Sequence, residues 1–338
     1  MLCNLHAEET TEKQASETEN LSTQMDARGQ FIANAYWQSI YASRLAQLTA
    51  RSYSQTLKDE FYFDIEAGLL GLCLCQKNLE GQNGFHMDST GLYTGLYIGR
   101  PSKYKFGLVV ASQLANAKEK QGHNESETQY LSLSSHLEGH GFDGRLIVVN
   151  RNTLTVGVTD FNSTQQGLLG ACYGSFNGGS AISSLYFYFP IKAKTNDRLT
   201  IMPFIGYVMS VAQQNGFEEE GVRPRVYETG DAVLSDLSLP FGIYNKLAFR
   251  GCCPSLWEIE VSYKPTIARK DPSIGTLFVA DKKYWVSQPT SVCHHNASLH
   301  LKNETQLLKF FHINLDYQCD FSSTTRSHYI LGGAKLSF

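Results

Sequence analysis

Three groupings of side chains in this sequence have residue types that chemistry uses. Cys293-His294-His295 sets a thiol beside two imidazoles, donors that zinc prefers. On a strand, neighbours point to opposite faces, so only Cys293 and His295 can converge, and two ligands do not hold the metal. Ser175 lies in the glycine-rich run Gly170 to Ser180. That run predicts a hairpin and lacks the strand-to-helix turn that exposes a nucleophilic serine. Glu258 and Glu260 share one face of a predicted strand, where they could act as acid and base. Lining a polar lumen accounts for them more simply. No catalytic, cofactor-binding or metal-ligating set is therefore expected, and no enzyme.

Eight cysteines, at positions 3, 73, 75, 172, 252, 253, 293 and 319, contain no CxxC spacing, against a zinc ribbon or redox motif. Cys73 and Cys75 fall on one strand face, too close for a comfortable bridge. Cys252 and Cys253 are adjacent and bridge each other only with strain. A small hydrophobic filler is the ordinary use of such residues.

The elements that must position these groups are strands. The chain has 338 residues with 28 glycines, 18 tyrosines and 19 phenylalanines, a composition for strands and tight turns. With 29 basic and 32 acidic residues, it carries no basic stripe for nucleic acid. Its richest apolar run, Leu69 to Cys75, is far short of a membrane helix. Residues 1–28, with six acids and two bases, read as a solvated tail without a secretory signal. Residues 31–50 are the one good helix. Trp37, Tyr41, Leu45 and Leu48 form its stripe, and Asn34 is its expected cap.

After residue 60 the period is two. Trp257, Ile259, Val261 and Tyr263 alternate with polar neighbours, as do Phe311, Ile313, Leu315 and Tyr317. The same alternation runs through Leu237 to Ile243 and through Ala297 to Leu301. Further strands are predicted near 61–76, 90–99, 104–115, 127–137, 143–159, 165–175, 183–193, 198–211 and 328–338. That makes about thirteen, and twelve is the expected count because single-chain membrane barrels favour even numbers. Short gaps near 303–307, 250–255 and 193–198 alternate with long ones at 270–290 and 212–232. Outer-membrane barrels segregate periplasmic turns from external loops in this way. A soluble β-rich binding protein has no such reason.

The last strand ends on an aromatic, with Ile330, Ala334, Leu336 and Phe338 on one face. This resembles the signal read by outer-membrane assembly machinery. Asn34 to Ser39 before the barrel, Tyr227 to Asp231 followed by Leu237 to Gly242, and Val261 to Pro265 with Arg269 to Ser273 occur in this order. In that order they resemble the barrel region of the chlamydial polymorphic membrane proteins over roughly residues 30–338. The resemblance implies an all-β, transmembrane, antiparallel up-and-down barrel of about twelve strands with the helix in its lumen. It implies a translocator and anchor in the bacterial outer membrane, here without a passenger. Expected partners are outer-membrane lipid, the barrel assembly machinery and disulfide-linked envelope proteins reached through Cys252 and Cys253. No nucleic acid or cofactor is expected. The domain layout is a tail at 1–28, a linker and helix at 29–59, and the barrel at 60–338. A porin-like channel of the same architecture is the alternative function.

Overall fold

The computed structural model describes residues 27–50, 61–100, 103–164, 171–192, 199–221, 224–230, 232–249, 251–280 and 282–338. The expected tail therefore lies outside the described residues, apart from its last two. One helix, α1, spans residues 27–49. Twelve long strands follow: β1 Tyr62–Gln76, β2 Phe85–Arg100, β3 Tyr104–Glu119, β4 Asn124–Gly141, β5 Leu146–Thr164, β6 Ala171–Tyr188, β7 Leu199–Gln214, β8 in two pieces (Leu234–Ser238 and Phe241–Phe249), β9 Ser255–Lys270, β10 His295–Leu308, β11 Phe311–Phe321 and β12 Thr325–Ser337.

Each strand pairs antiparallel with the next, and β12 pairs antiparallel with β1, from Asp64↔Ser337 to Gln76↔Thr325. An up-and-down sheet can close on itself antiparallel only if its strand number is even. Closure leaves no free edge, which lipid would not tolerate. The seam is finished by Phe63 and Phe338, whose backbone groups exchange hydrogen bonds at 3.2 and 2.9 Å.

Alternation decides what faces where. Leu92, Leu96, Leu131, Leu133, Val156 and Val158 are all exposed on the outer wall, joined by Val261, Leu315 and Ile330 on the far side. A continuous apolar belt of this kind is stable only in hydrocarbon. The inner positions are buried, and many of them are polar. Trp257, Val261 and Tyr263 point out while Glu258 and Glu260 are buried inside.

The structure corrects the sequence reading at three places. The segments 165–175 and 183–193 are not separate strands. Ala171–Tyr188 is continuous and pairs with β5 along its whole length, so Ser175 sits mid-strand opposite Asp160 and not in a hairpin. The helix begins at residue 27, which puts Asn34 inside it and not at its cap. The strand expected at 143–159 runs from Leu146 to Thr164 and is fully paired, while residues 143–145 belong to the turn before it. Arg225–Glu228, within the long gap expected at 212–232, lies outside the barrel wall. It joins Phe217–Glu218, Ile274–Phe278 and Lys283–Ser287 in a small four-stranded sheet built from the two longest loops.

One packing device recurs on the inner wall. Tyr93 lies opposite Gly68, Tyr97 opposite Gly107, Tyr130 opposite Gly157 and Tyr186 opposite Gly206. Each ring lies across its glycine so closely that an added Cβ would sit 2.5–2.7 Å from a ring carbon. No other residue leaves that room.

Candidate functional site: the occupied lumen

α1 runs through the barrel. At 1.5 Å per residue, residues 27–49 extend about 34 Å, enough to cross a bilayer core. Its first turns lie at the end that carries the long loops. Arg28 Nη1 is 3.0 Å from Glu219 Oε2, both buried. Asn34 Nδ2 donates to Thr290 Oγ1 at 3.0 Å, and the Thr290 amide returns a bond to Asn34 Oδ1 at 2.7 Å. Glu219 and Thr290 belong to the two longest loops, so the small external sheet sits over the helix N-terminus. Gly29 is part of this fit, since a Cβ there would lie 2.2 Å from Ser287 Oγ.

Along the middle of the helix the wall is made of small hydroxyl and methyl side chains. Ser39 and Ser43, one turn apart, form a seam against β5 and β6. Ser39 Oγ donates to Ser180 Oγ at 2.8 Å, and Ser43 Oγ meets Thr155 Oγ1 and Ser180 Oγ at 2.6 Å each. On the opposite side the Arg269 guanidinium lies 4.9 Å over the Trp37 ring, and Arg44 lies 5.5 Å over Tyr41, both favourable cation–π contacts. The helix ends where Tyr97 donates to the Thr49 carbonyl at 2.6 Å, satisfying one of the acceptors that every helix terminus leaves open.

Trp37, Tyr41, Leu45 and Leu48 are buried, but so are the polar residues between them, because the wall surrounds the helix. The sequence showed one apolar stripe, and the structure uses every face. Sequence reasoning missed Ser39, Ser43, Ser180 and Thr155. Their signal was present in alternations such as Leu131-Ser132-Leu133-Ser134, where the small polar residue marks the inner wall.

Toward the short-turn end, beyond the helix, the inner wall becomes charged. Lys105 Nζ is 3.0 Å from Glu138 Oε1, and His140 reaches the same carboxylate at 2.7 Å. Lys335 Nζ bonds to Glu304 and lies 3.8 Å from Asp64 Oδ2. Tyr93 and Asn314 both donate to Glu66 Oε1 at 2.7 Å. Buried charges persist only when paired and hydrogen-bonded, and the Lys335 pairs join the last strand to β1 and β10. Together the helix above and the ion pairs below fill the bore.

The remaining site residues fall elsewhere. Ile330, Leu336 and Phe338 face outward and are exposed, and Ala334 shares their face. Cys252 and Cys253 are free, exposed, and on the turn between β8 and β9. The trio Cys293-His294-His295 does not converge. The His295 ring bonds the Tyr263 hydroxyl at 2.6 Å, while the Cys293 amide bonds Thr324 Oγ1.

No family model matches the chain. Over 316 residues it is 29% identical to "Probable outer membrane protein pmp15" of Chlamydia pneumoniae, covering 93% of this chain and 33% of that protein. It is 23% identical over 317 residues to "Probable outer membrane protein PmpE" of Chlamydia trachomatis serovar D, covering 92% and 32%. The chain thus spans about a third of the length of the curated relatives it matches. Among solved structures, the translocator domain of the autotransporter NalP from Neisseria meningitidis superposes with a TM-score of 0.67 at 12% identity, covering 93% of this chain and 99% of that one. The β domain of the Bordetella autotransporter BrkA gives 0.54 at 14% identity, covering 82% and 99%. The chain is a homologue of the chlamydial Pmp outer membrane proteins, and it forms a twelve-stranded outer-membrane β-barrel with the fold of autotransporter translocator domains.

Proposed function

We propose that the barrel works as a translocator and anchor of type V secretion, a structural role with no chemistry of its own. One observation carries this reading: α1 threads the lumen with its first residue at the long-loop face, while β1 starts at the short-turn face. Long loops face outward in outer membranes, so polypeptide joined ahead of residue 27 is delivered to the cell surface and stays tethered there. A porin needs an open bore, and the helix occupies this one. The domain layout follows from the same reading, with a pre-barrel linker and helix at residues 29–59 and the barrel at 60–338.

The expected result is direct. An epitope placed ahead of residue 27, behind a secretory signal, becomes accessible to antibody and protease on intact cells. Deleting Phe338, the proposed signal to the assembly machinery together with Ile330, Ala334 and Leu336, sharply reduces that display and the heat-modifiable form on gels. A folded barrel whose epitope stays protected in intact cells rules the translocator reading out.

The turn carrying Cys252 and Cys253 is on the periplasmic side, an oxidising compartment where exposed thiols pair. We assign these two residues to links with other envelope proteins. Non-reducing gels of envelopes should then show dithiothreitol-sensitive species that vanish in a Cys252→Ser/Cys253→Ser variant. If the variant leaves the pattern unchanged, the two thiols are simple surface residues.

A further inference from the structure

On the outer wall, next to the long-loop face, β1 and β2 bring together a thiol, an imidazole and a carboxylate. Cys73 stands directly opposite Asp88, and Cys75 opposite His86. The ligand atoms of Cys73, His86 and Asp88 all lie within 4.8 Å of one another. His86 Nε2 is already 3.0 Å from Asp88 Oδ2. All three residues are exposed to the outside. Cys73 and Asp88 sit four residues beyond the belt positions Leu69 and Leu92 on the same strands, about 13 Å nearer the long-loop end, and His86 two residues further.

We propose that Cys73, His86 and Asp88 form a surface site for a zinc-like divalent cation. Neighbours around a tetrahedral zinc, with Zn–S about 2.3 Å and Zn–N or Zn–O about 2.0–2.2 Å, stand roughly 3.3–3.8 Å apart. The present spacing, up to 4.8 Å with His86 and Asp88 already at 3.0 Å, is close to this, and all three side chains are exposed and free to turn. The donor set selects the metal. A thiolate with an imidazole favours zinc over calcium or magnesium, which take all-oxygen ligation. Three protein ligands leave a fourth position for water or for Cys75, whose Sγ now accepts a bond from Lys120 Nζ at 3.1 Å. Binding would displace the Cys73 thiol proton to solvent and staple β1 to β2 beside the loop that joins them. The antiparallel register creates this cluster. Cys73 and Asp88 are fifteen positions apart in sequence yet directly opposed, and His86 and Asp88 share a face because they are two apart.

The test uses the full chain, reduced and refolded in detergent, in a Cys252→Ser/Cys253→Ser background that removes the other adjacent pair of exposed thiols. Cobalt(II) should give a thiolate charge-transfer band and tetrahedral visible bands, both displaced by zinc. Cys73→Ser should abolish the band or weaken binding at least about tenfold, and His86→Ala or Asp88→Asn should weaken it by a similar factor. Heat-modifiable mobility of each variant checks that the barrel has formed, which these outward side chains do not govern. Absence of the cobalt band, or a band of unchanged affinity in any of the three variants, overturns the proposal and leaves a surface His–Asp pair beside an idle thiol.

Discussion

Removing residues 1–50 raises the single-channel conductance of the reconstituted barrel several-fold. The expectation follows from fit. Eight strands enclose only side chains, and sixteen or more leave an aqueous channel. Twelve enclose a bore on the scale of one helix, about 10–12 Å across. Here the wall beside α1 is reduced to Ser132, Thr155, Ser180 and similar small residues, and the helix takes up the space they leave. Without it, hydroxyl-lined volume opens to water along the upper part of the barrel. The charged wall toward the short turns then becomes the constriction that selects ions. Planar-bilayer recordings of the intact and truncated chains decide the matter. Equal conductance from two folded barrels would mean that the ion pairs, and not the helix, close the pore.

Lys335→Met lowers stability by about 3–5 kcal/mol, the cost of leaving buried charge without its partner. Lys335 is 1% exposed, bonded to Glu304 and close to Asp64, with Glu66 also buried nearby on β1. Losing the ammonium leaves these carboxylates facing one another inside the wall. The comparison is Lys118→Met. Lys118 pairs with Glu125 at 3.3 Å on the outer surface, and its side chain is 70% exposed, so this variant costs at most about 1 kcal/mol. Urea unfolding of both in lipid vesicles gives the difference. A Lys335 variant as mild as the Lys118 one would show that water in the lumen screens these charges almost as well as bulk solvent.

Most of the wall was legible in the sequence because lipid imposes a period of two that local residues must obey. The alternation through Trp257 to Tyr263 and Phe311 to Tyr317 gave both the strands and their outward faces. The pattern failed at Gly174, Asn177, Gly178 and Gly179, which signal a turn in isolation but here lie in a strand paired throughout with β5 and, from Gly178 on, also with β7. Tertiary pairing overrides local preference at such places. The lumen was less legible. Glu258 and Glu260 could be placed inside, but the partnership of Lys335 with Asp64 exists only because the last strand meets the first. Arg28 and Glu219 are separated by 191 positions, and no local pattern joins them. Asn34 looked like a cap because its type suits one, while its side chain in fact ties the helix to an external loop.

The four tyrosine–glycine contacts bear on how the wall finds its alignment. Every backbone bond in a hairpin can form equally well after a slip of two residues, since the inward and outward faces are preserved. Hydrogen bonding alone therefore does not distinguish the correct pairing from its nearest competitors. The rings do. Slipped by two, Tyr97 would meet Val109 or Lys105, and Tyr130 would meet Thr155 or Thr159, all with side chains where the ring must lie. All four contacts join strands consecutive in sequence (β1–β2, β2–β3, β4–β5 and β6–β7), so each can be checked as soon as two strands have met. The inner wall thus carries its own alignment marks, spaced hairpin by hairpin, and a hairpin slipped by two loses the glycine under its ring.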